Sequence, residues 1–280
     1  KGMIIVLIIV GSLILFYVIF GFVLRYIFCS NANIKRLKKK DSEVPYNQSD
    51  NFWFFSSENK IIETTSYDHK KIQSYFRRSK LGSHTYLIFC HGWTGDPEEK
   101  SKVLHRIYDK FDFNILSLVQ RGQGLSNIKY ITMGAKEGRD VLSWINYIIK
   151  KDNMAKILLY GESMGAATVL YSLSYGVPDN VVGVTEDCGY LSILKQFISS
   201  AKSFVPGVIA YIFAPSICLA MWLTGSIQIR HNPKKGILNS KTPLLCIHGE
   251  ADELVPFSNF EKIKKIERDN IVMLSFAEAK

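Results

Sequence analysis

The sequence predicts an α/β protein, a mostly parallel sheet with helices on both faces, behind one N-terminal membrane helix. Three observations predict it. From residue 86 onward, short apolar runs that end in turn residues alternate with helical patterns. One run, Ile157 to Tyr160, passes through Gly161-Glu162-Ser163-Met164-Gly165 into a small-residue helical stretch, so a sharp strand-to-helix turn carries a serine there. Residues 3–24 contain no charge at all.

As a helix rising about 1.5 Å per residue, Met3 to Leu24 would span roughly 33 Å, enough for a bilayer core. A signal peptide would have a shorter apolar region and a small-residue cleavage site, whereas this run leads into Arg25-Tyr26-Ile27-Phe28. Membrane lipids around residues 3–24 are therefore the first expected partner, and the location is a single-pass cell-membrane protein. Lys35, Arg36, Lys38, Lys39 and Lys40 follow the helix, where basic residues meet headgroups. The positive-inside rule then favours the cytoplasmic face, although charges that preceded Lys1 in a longer chain would change the balance, so the side stays open. This placement also removes the reason to read the +10 net charge as nucleic-acid binding, and no aromatic-interleaved basic motif occurs. Residues 29–51 are polar and read as a tether.

Between Phe52 and Arg77, two β-prone stretches flank the turn Tyr67 to Lys71, with His69 a turn residue. Tyr86 to Cys90 is a buried strand that ends in His91-Gly92-Trp93-Thr94-Gly95-Asp96, before a helix from about Pro97 to Lys110. Asn114 to Val119 is the next strand, and Gln120 to Ser126 a glycine turn that lacks both the dinucleotide fingerprint and the Walker lysine. A helix from about Lys136 to Lys150 turns Val141, Leu142, Trp144, Ile145, Ile148 and Ile149 to the sheet. The serine turn follows, then a strand from Val181 to Thr185 that ends in Glu186-Asp187-Cys188-Gly189.

Residues 190–236 break the alternation, and Ser203 to Ile229 is charge-free. Pro206, Gly207, Pro215 and Gly225 interrupt it, and one more membrane crossing would put Ser163 and residue 252 on opposite sides. It reads as a helical cap whose Phe204, Val208, Ile212, Phe213, Leu219, Met221, Trp222 and Leu223 line an acyl-sized pocket, rest on the membrane or pack on themselves. Pro243 to Pro256 is a strand followed by H-G-x-x-D-x-x-V-P, and a helix (Phe257 to Glu267) and a strand (Asn270 to Phe276) complete the alternation. Cys29, Cys90, Cys188, Cys218 and Cys246 show no metal or disulfide spacing and read as small buried hydrophobes.

Four segments in order, H-G-W-T-G, R-G-Q-G-L-S, G-E-S-M-G and H-G-E-A-D-E-L-V-P, resemble the α/β-hydrolase superfamily over about residues 52–280. Anchor plus capped domain looks most like bacterial membrane-anchored serine hydrolases related to the acylaminoacyl-peptidase and Bem46-like group. The domains expected are an anchor (1–28), a basic, polar linker (29–51) and a hydrolase domain (52–280) with its cap at about 190–236. The resemblance implies Ser163 as nucleophile, Asp252 as the acid of a Ser-Asp-His triad, and the amides of Trp93 and Met164 as the oxyanion hole, with no metal or organic cofactor. His91 is by resemblance a loop-shaping residue. In that fold the histidine follows the last strand, but His69, His84, His91, His105, His231 and His248 all precede Asp252. The chain lacks a start methionine and stops at Lys280, so the expectation is a sequence cut at both ends, with the catalytic histidine just beyond. The implied substrate is an acyl or ester small molecule or lipid-like compound, with a peptide the alternative, and a noncatalytic membrane-tethered binding module the reading of another class.

Overall fold

The computed structural model describes residues 2–34, 36, 59–97, 100–228 and 230–279. Its strands are β1 (Lys60–Thr65), β2 (Lys71–Arg77), β3 (Thr85–Cys90), β4 (Asn114–Val119), β5 (Lys156–Glu162), β6 (Val181–Asp187), β7 (Leu244–Gly249) and β8 (Ile271–Phe276). They form one sheet in the order β1-β2-β4-β3-β5-β6-β7-β8. β2 runs antiparallel to both β1 and β4, and every later pairing is parallel. Parallel strands need covered faces, and β4 accordingly buries all six of its residues. The turn between β1 and β2 does fall at residues 66–70, with His69 at φ +59°.

The helices are α1 (Gly2–Cys29), α2 (Ser101–Phe111), α3 (Ala135–Lys151), α4 (Met164–Tyr175), α5 (Ile193–Lys202), α6 (Gly207–Leu223), α7 (Pro233–Asn239) and α8 (Ser258–Lys264). α4 buries every residue from Met164 to Leu173, which accounts for its small side chains: a helix covered all round must let its neighbours come close. α3 turns Val141, Trp144, Ile145 and Ile148 into the same core, as its spacing requires. Arg121 is buried and bonded to Asp140 at 2.7 Å through Nε and to Asp68 at 3.1 Å through one terminal nitrogen. Breaking such a buried pair costs roughly 3–5 kcal/mol, so the R-G-Q-G turn is held as structure, in line with its sequence reading.

Two expectations need adjusting. Residues 29–34, expected to open a tether, are docked instead: the Asn31 amide donates to the Lys129 carbonyl at 2.9 Å, and the Ile131 amide donates to the Cys29 carbonyl at 2.9 Å. Cys29 and Ile34 are buried with Ile131 and Met164, so apolar burial outweighs the polar composition there. The rest of the linker, Arg36 apart, lies outside the described residues. At the other end, the stretch expected to be cap gives way by Pro233 to α7, whose Ile237 joins the main core. Gly236 lets α7 lie close against α4, because a Cβ there would stand 2.3 Å from the Leu170 carbonyl oxygen.

The remainder of the cap is a hairpin of α5 and α6, and α6 packs on α1. A Cβ on Gly21 of α1 would stand 2.2 Å from the Ser216 carbonyl oxygen of α6, so glycine permits this crossing. Phe20 meets Phe213 edge-on at 4.8 Å between ring centres, and the Tyr17 hydroxyl donates to the Ile212 carbonyl at 2.9 Å. Met221 of α6 is buried, whereas Phe204, Val208, Ile212, Trp222 and Leu223 are exposed. The apolar residues expected on one cap face are thus divided between an inner packed set and an outer bare one.

Candidate active site

β3, β5, β6 and β7 are parallel, so the loops after them gather at one end of the sheet. Trp93 follows β3, Ser163 follows β5, Asp187 and Cys188 close β6, and Asp252 follows β7. The structure therefore brings all four sequence-predicted site residues, Ser163, Asp252, Trp93 and Met164, to one edge.

Ser163 stands at φ +52°, ψ −115°, at the N-terminal cap of α4. A non-glycine residue there is strained, and it persists only where the surroundings over-determine it. They do so here through two close approaches. A Cβ on Gly165 would lie 1.9 Å from the Cys90 carbonyl oxygen, and one on Gly161 would lie 2.1 Å from the Gly165 carbonyl oxygen. The Ser163 amide donates to the Asp187 carbonyl at 2.7 Å, which ties the turn to the end of β6. Ser163 also lies beside the loop after β3, because a Cβ on Gly92 would be 3.5 Å from the serine Cβ and 4.0 Å from Oγ. The first amides of α4, Met164 among them, have no partner within the helix and form its positive end.

Asp252 Oδ1 accepts the amides of Leu254 and Val255, each at 2.8 Å, which fixes the carboxylate as the centre of its turn. Its neighbours are Cys188 and His248, with the three donor atoms within 4.8 Å of one another. Cys188 in turn donates its amide to the Ile247 carbonyl at 2.8 Å, so a ladder of main-chain bonds links the ends of β5, β6 and β7. The trio does not make a good metal site. Burial, reinforced by the carboxylates of Asp187 and Asp252, pushes the Cys188 thiol up to about 12, so in the metal-free site it is a protonated thiol at neutral pH. His248 is fully buried, its Nε2 lies 3.9 Å from Asp252 Oδ2, and that nitrogen donates to the Val255 carbonyl at 2.9 Å. Phe257 and Phe260 stand edge-on to its ring. His248 is packed in place, with Nε2 committed to a main-chain carbonyl.

The sequence motifs did not disclose the network beneath the site. Gln120 donates to the His91 carbonyl at 2.5 Å and accepts from the Thr168 hydroxyl at 3.1 Å, so one amide side chain couples the loop after β3 to α4. Below the serine turn, Glu186 is fully buried, and its carboxylate accepts the Gly189 amide at 2.8 Å. Burial pushes its carboxyl up to about 7, against the opposing hydrogen bonds from Gly189 and Cys246. Trp93 holds a link that no local pattern signals: its indole N–H donates to the Phe28 carbonyl at 3.2 Å, at the end of α1.

No family model matches the chain. In sequence it is similar to the uncharacterized protein YfhR of Escherichia coli O157:H7, 23% identical over 74% of this chain and 68% of that one. It is also similar to protein bem46 of Schizosaccharomyces pombe, 24% identical over 72% of this chain and 63% of that one. A third likeness is to the uncharacterized membrane protein YNL320W of Saccharomyces cerevisiae, 27% identical over 70% of this chain and 63% of that one. Among solved structures it resembles the Pyrococcus furiosus esterase Pf2001, with a TM-score of 0.63 and 22% identity over 82% of this chain and 84% of that one. It also resembles the Pyrococcus horikoshii acylaminoacyl peptidase, with a TM-score of 0.58 and 16% identity over 79% of this chain and 37% of that one. The chain has the α/β-hydrolase fold, and the bem46 likeness agrees with the Bem46-like resemblance of its motifs. Together α1 and the yeast membrane protein point to membrane association.

Proposed function

We propose that the chain is the catalytic part of a membrane-anchored serine hydrolase that cleaves a carboxylic ester or acyl bond. Ser163 is the nucleophile, and its Oγ adds to the substrate carbonyl carbon while a histidine that follows residue 280 takes the hydroxyl proton. The oxyanion that forms accepts hydrogen bonds from the Trp93 and Met164 amides. The imidazolium, steadied by Asp252, passes its proton to the departing alcohol, leaving an acyl-serine. Water, deprotonated by the same imidazole, then releases the carboxylic acid and restores the serine.

The observation that carries this reading is the φ of +52° at Ser163, on a strand-to-helix turn whose close approaches exclude any side chain on either flanking glycine. Such strain collects at sites that use it. The placement of the base draws support from the far end of the chain. The Ala279 carbonyl accepts the Ala251 amide at 3.1 Å, so the last described residues run along the loop that carries Asp252.

Full-length protein should be labelled by a fluorophosphonate probe, and Ser163→Ala should abolish the labelling. Labelling that persists in that variant would remove Ser163 as nucleophile. An ester is the preferred substrate because the exposed apolar cap adjoins α1, while the likeness to a peptidase keeps an acylated peptide as the alternative. The noncatalytic reading is favoured by the burial of His248, which leaves Asp252 without a usable imidazole among the described residues. It predicts ligand binding with no turnover and no probe labelling in the full-length protein.

A further inference from the structure

We propose that the α5–α6 hairpin is inserted in the same membrane leaflet as the end of α1, and that the site draws its acyl substrate sideways from that leaflet. The second half rests on the hydrolase reading above; the first stands by itself.

The argument begins with register. Contacts between α1 and the α6 segment advance in the same order on both, Tyr17 with Ile212, Phe20 with Phe213, Gly21 with Ser216 and Arg25 with Ser226. The two run in the same direction toward the sheet. A bilayer core needs roughly 20 helical residues, which from Met3 carries it to about Phe22. Ile212, level with Tyr17, then lies roughly 7 Å inside that boundary at about 1.5 Å per residue, and Val208 lies about one turn deeper. A membrane that receives α1 therefore surrounds the outer half of α6 as well.

The surface of the hairpin suits that medium. Phe204 is 82% exposed and Val208 70%, at the tip, and Ile212 is exposed beside them. Water would leave this apolar surface bare at roughly 25 cal/mol per Å², whereas lipid covers it without a partner protein. It is continuous with the exposed surface of α1 from Met3 to Phe16, so one occupant covers both. The charge near the tip has partners: Lys202 rests its ammonium 3.3 Å from the Tyr211 hydroxyl and 4.9 Å from that ring's centre, so a hydroxyl and a ring face accompany it into the leaflet. Farther down the hairpin, Lys195 joins Lys234, Lys262 and Lys265 along a groove of about 640 Å³ that also holds Glu267. This excess of positive charge complements an anionic headgroup layer.

The same roof leads to the nucleophile. Ile217 and Met221 of α6 and Leu24 and Cys29 of α1 are buried in one cluster with Met164, the residue after Ser163. The roof therefore packs directly on the residue after the nucleophile, which sets the serine turn beside the leaflet that the hairpin enters.

The test uses full-length protein in phosphatidylcholine–phosphatidylglycerol vesicles. Val208→Cys carries an environment-sensitive fluorophore, with unsubstituted protein labelled in parallel to subtract its own cysteines. Bromine on the lipid acyl chains should quench the label at least twofold, while aqueous iodide should not. Quenching by iodide and not by bromine would place the tip in water or against a protein and overturn the insertion. In the second arm, the double variant Phe204→Asp/Val208→Asp should lose tenfold or more of the rate on a long-chain ester dissolved in the vesicles and keep its rate on a water-soluble short-chain ester within twofold. Equal loss on both esters would overturn delivery from the leaflet. If full-length protein hydrolyses neither ester, the hydrolase reading and its delivery route fail together, and the bromine result alone decides whether the hairpin is inserted.

Discussion

At the serine turn, the backbones of β3, β5 and α4 come so near that a single added carbon would overlap a carbonyl oxygen, at Gly161 and at Gly165. In the roof above it, α1 and α6 approach this closely at Gly21, and around that crossing they meet through large side chains such as Phe20 and Phe213. The first region is fixed by main chain and has no slack. The second is fixed largely by side chains that can repack, and part of its apolar surface, Phe204, Val208 and Ile212 among it, is exposed. On the proposed reading the two regions have different needs: a nucleophile needs its position set to a fraction of an ångström, while a surface that admits a substrate needs only the right solvent around it.

The hardest break in this contrast is Gly165→Ala. Its methyl group would lie 1.9 Å from the Cys90 carbonyl oxygen, so folding should be lost, or stability reduced by more than about 4 kcal/mol, while Gly11→Ala, with nothing within 4 Å, should leave it unchanged. Thermal unfolding of the two variants in detergent checks both, and equal melting temperatures would show that the turn has slack after all. A second measurement reads the rigid region through its charge. Glu186 titrates near 7 when folded and near 4.5 when unfolded, so its protonation stabilises the protein fully below pH 4.5, and that contribution is lost as pH rises through 7. The shift corresponds to about 3 kcal/mol, and Glu186→Gln should flatten the decline in stability between pH 5 and 8. A decline that persists in the variant would assign it to other groups. The smallest effect belongs to the roof. Gly21→Leu should push α6 off α1 and cost about 1–3 kcal/mol, by the usual scale for an overpacked contact, with fluorophosphonate labelling of Ser163 kept. A loss of labelling as complete as that of Ser163→Ala would mean that roof and turn form a single unit.

The turn was legible because everything it requires lies within ten residues: an apolar strand, two glycines around a serine, and a helix of small residues. The strands of the sheet were legible for a similar reason, since buried parallel strands read as short apolar runs, and Asn114–Val119 falls where its run predicts. Asp252 was legible through the motif after β7, and the structure adds the amides of Leu254 and Val255 that hold it. The roof was not legible. α1 and α6 are apolar on every side, so no periodicity marks which face meets which, and partners such as Tyr17 and Ile212 are 195 residues apart. Gly21, a small residue between Phe20 and Phe22, was the sequence's hint of a close crossing. The docking of residues 29–34 was hidden for the opposite reason, because asparagine and serine read as loop, and main-chain hydrogen bonding to residues 129–131 leaves no trace in composition.

The joint at Phe28, Cys29 and Asn31 has a mechanical consequence. An anchor that ends in loose string lets its cargo tumble, with the mouth of the site sweeping through all orientations. Here the last turn of α1 is bonded to Trp93 and Ile131, and Asn31 just after it to Lys129, so the joint is held at three points. If α1 enters a membrane as proposed, any tilt of that helix tilts the sheet with it, and the serine turn keeps one aim relative to the bilayer plane.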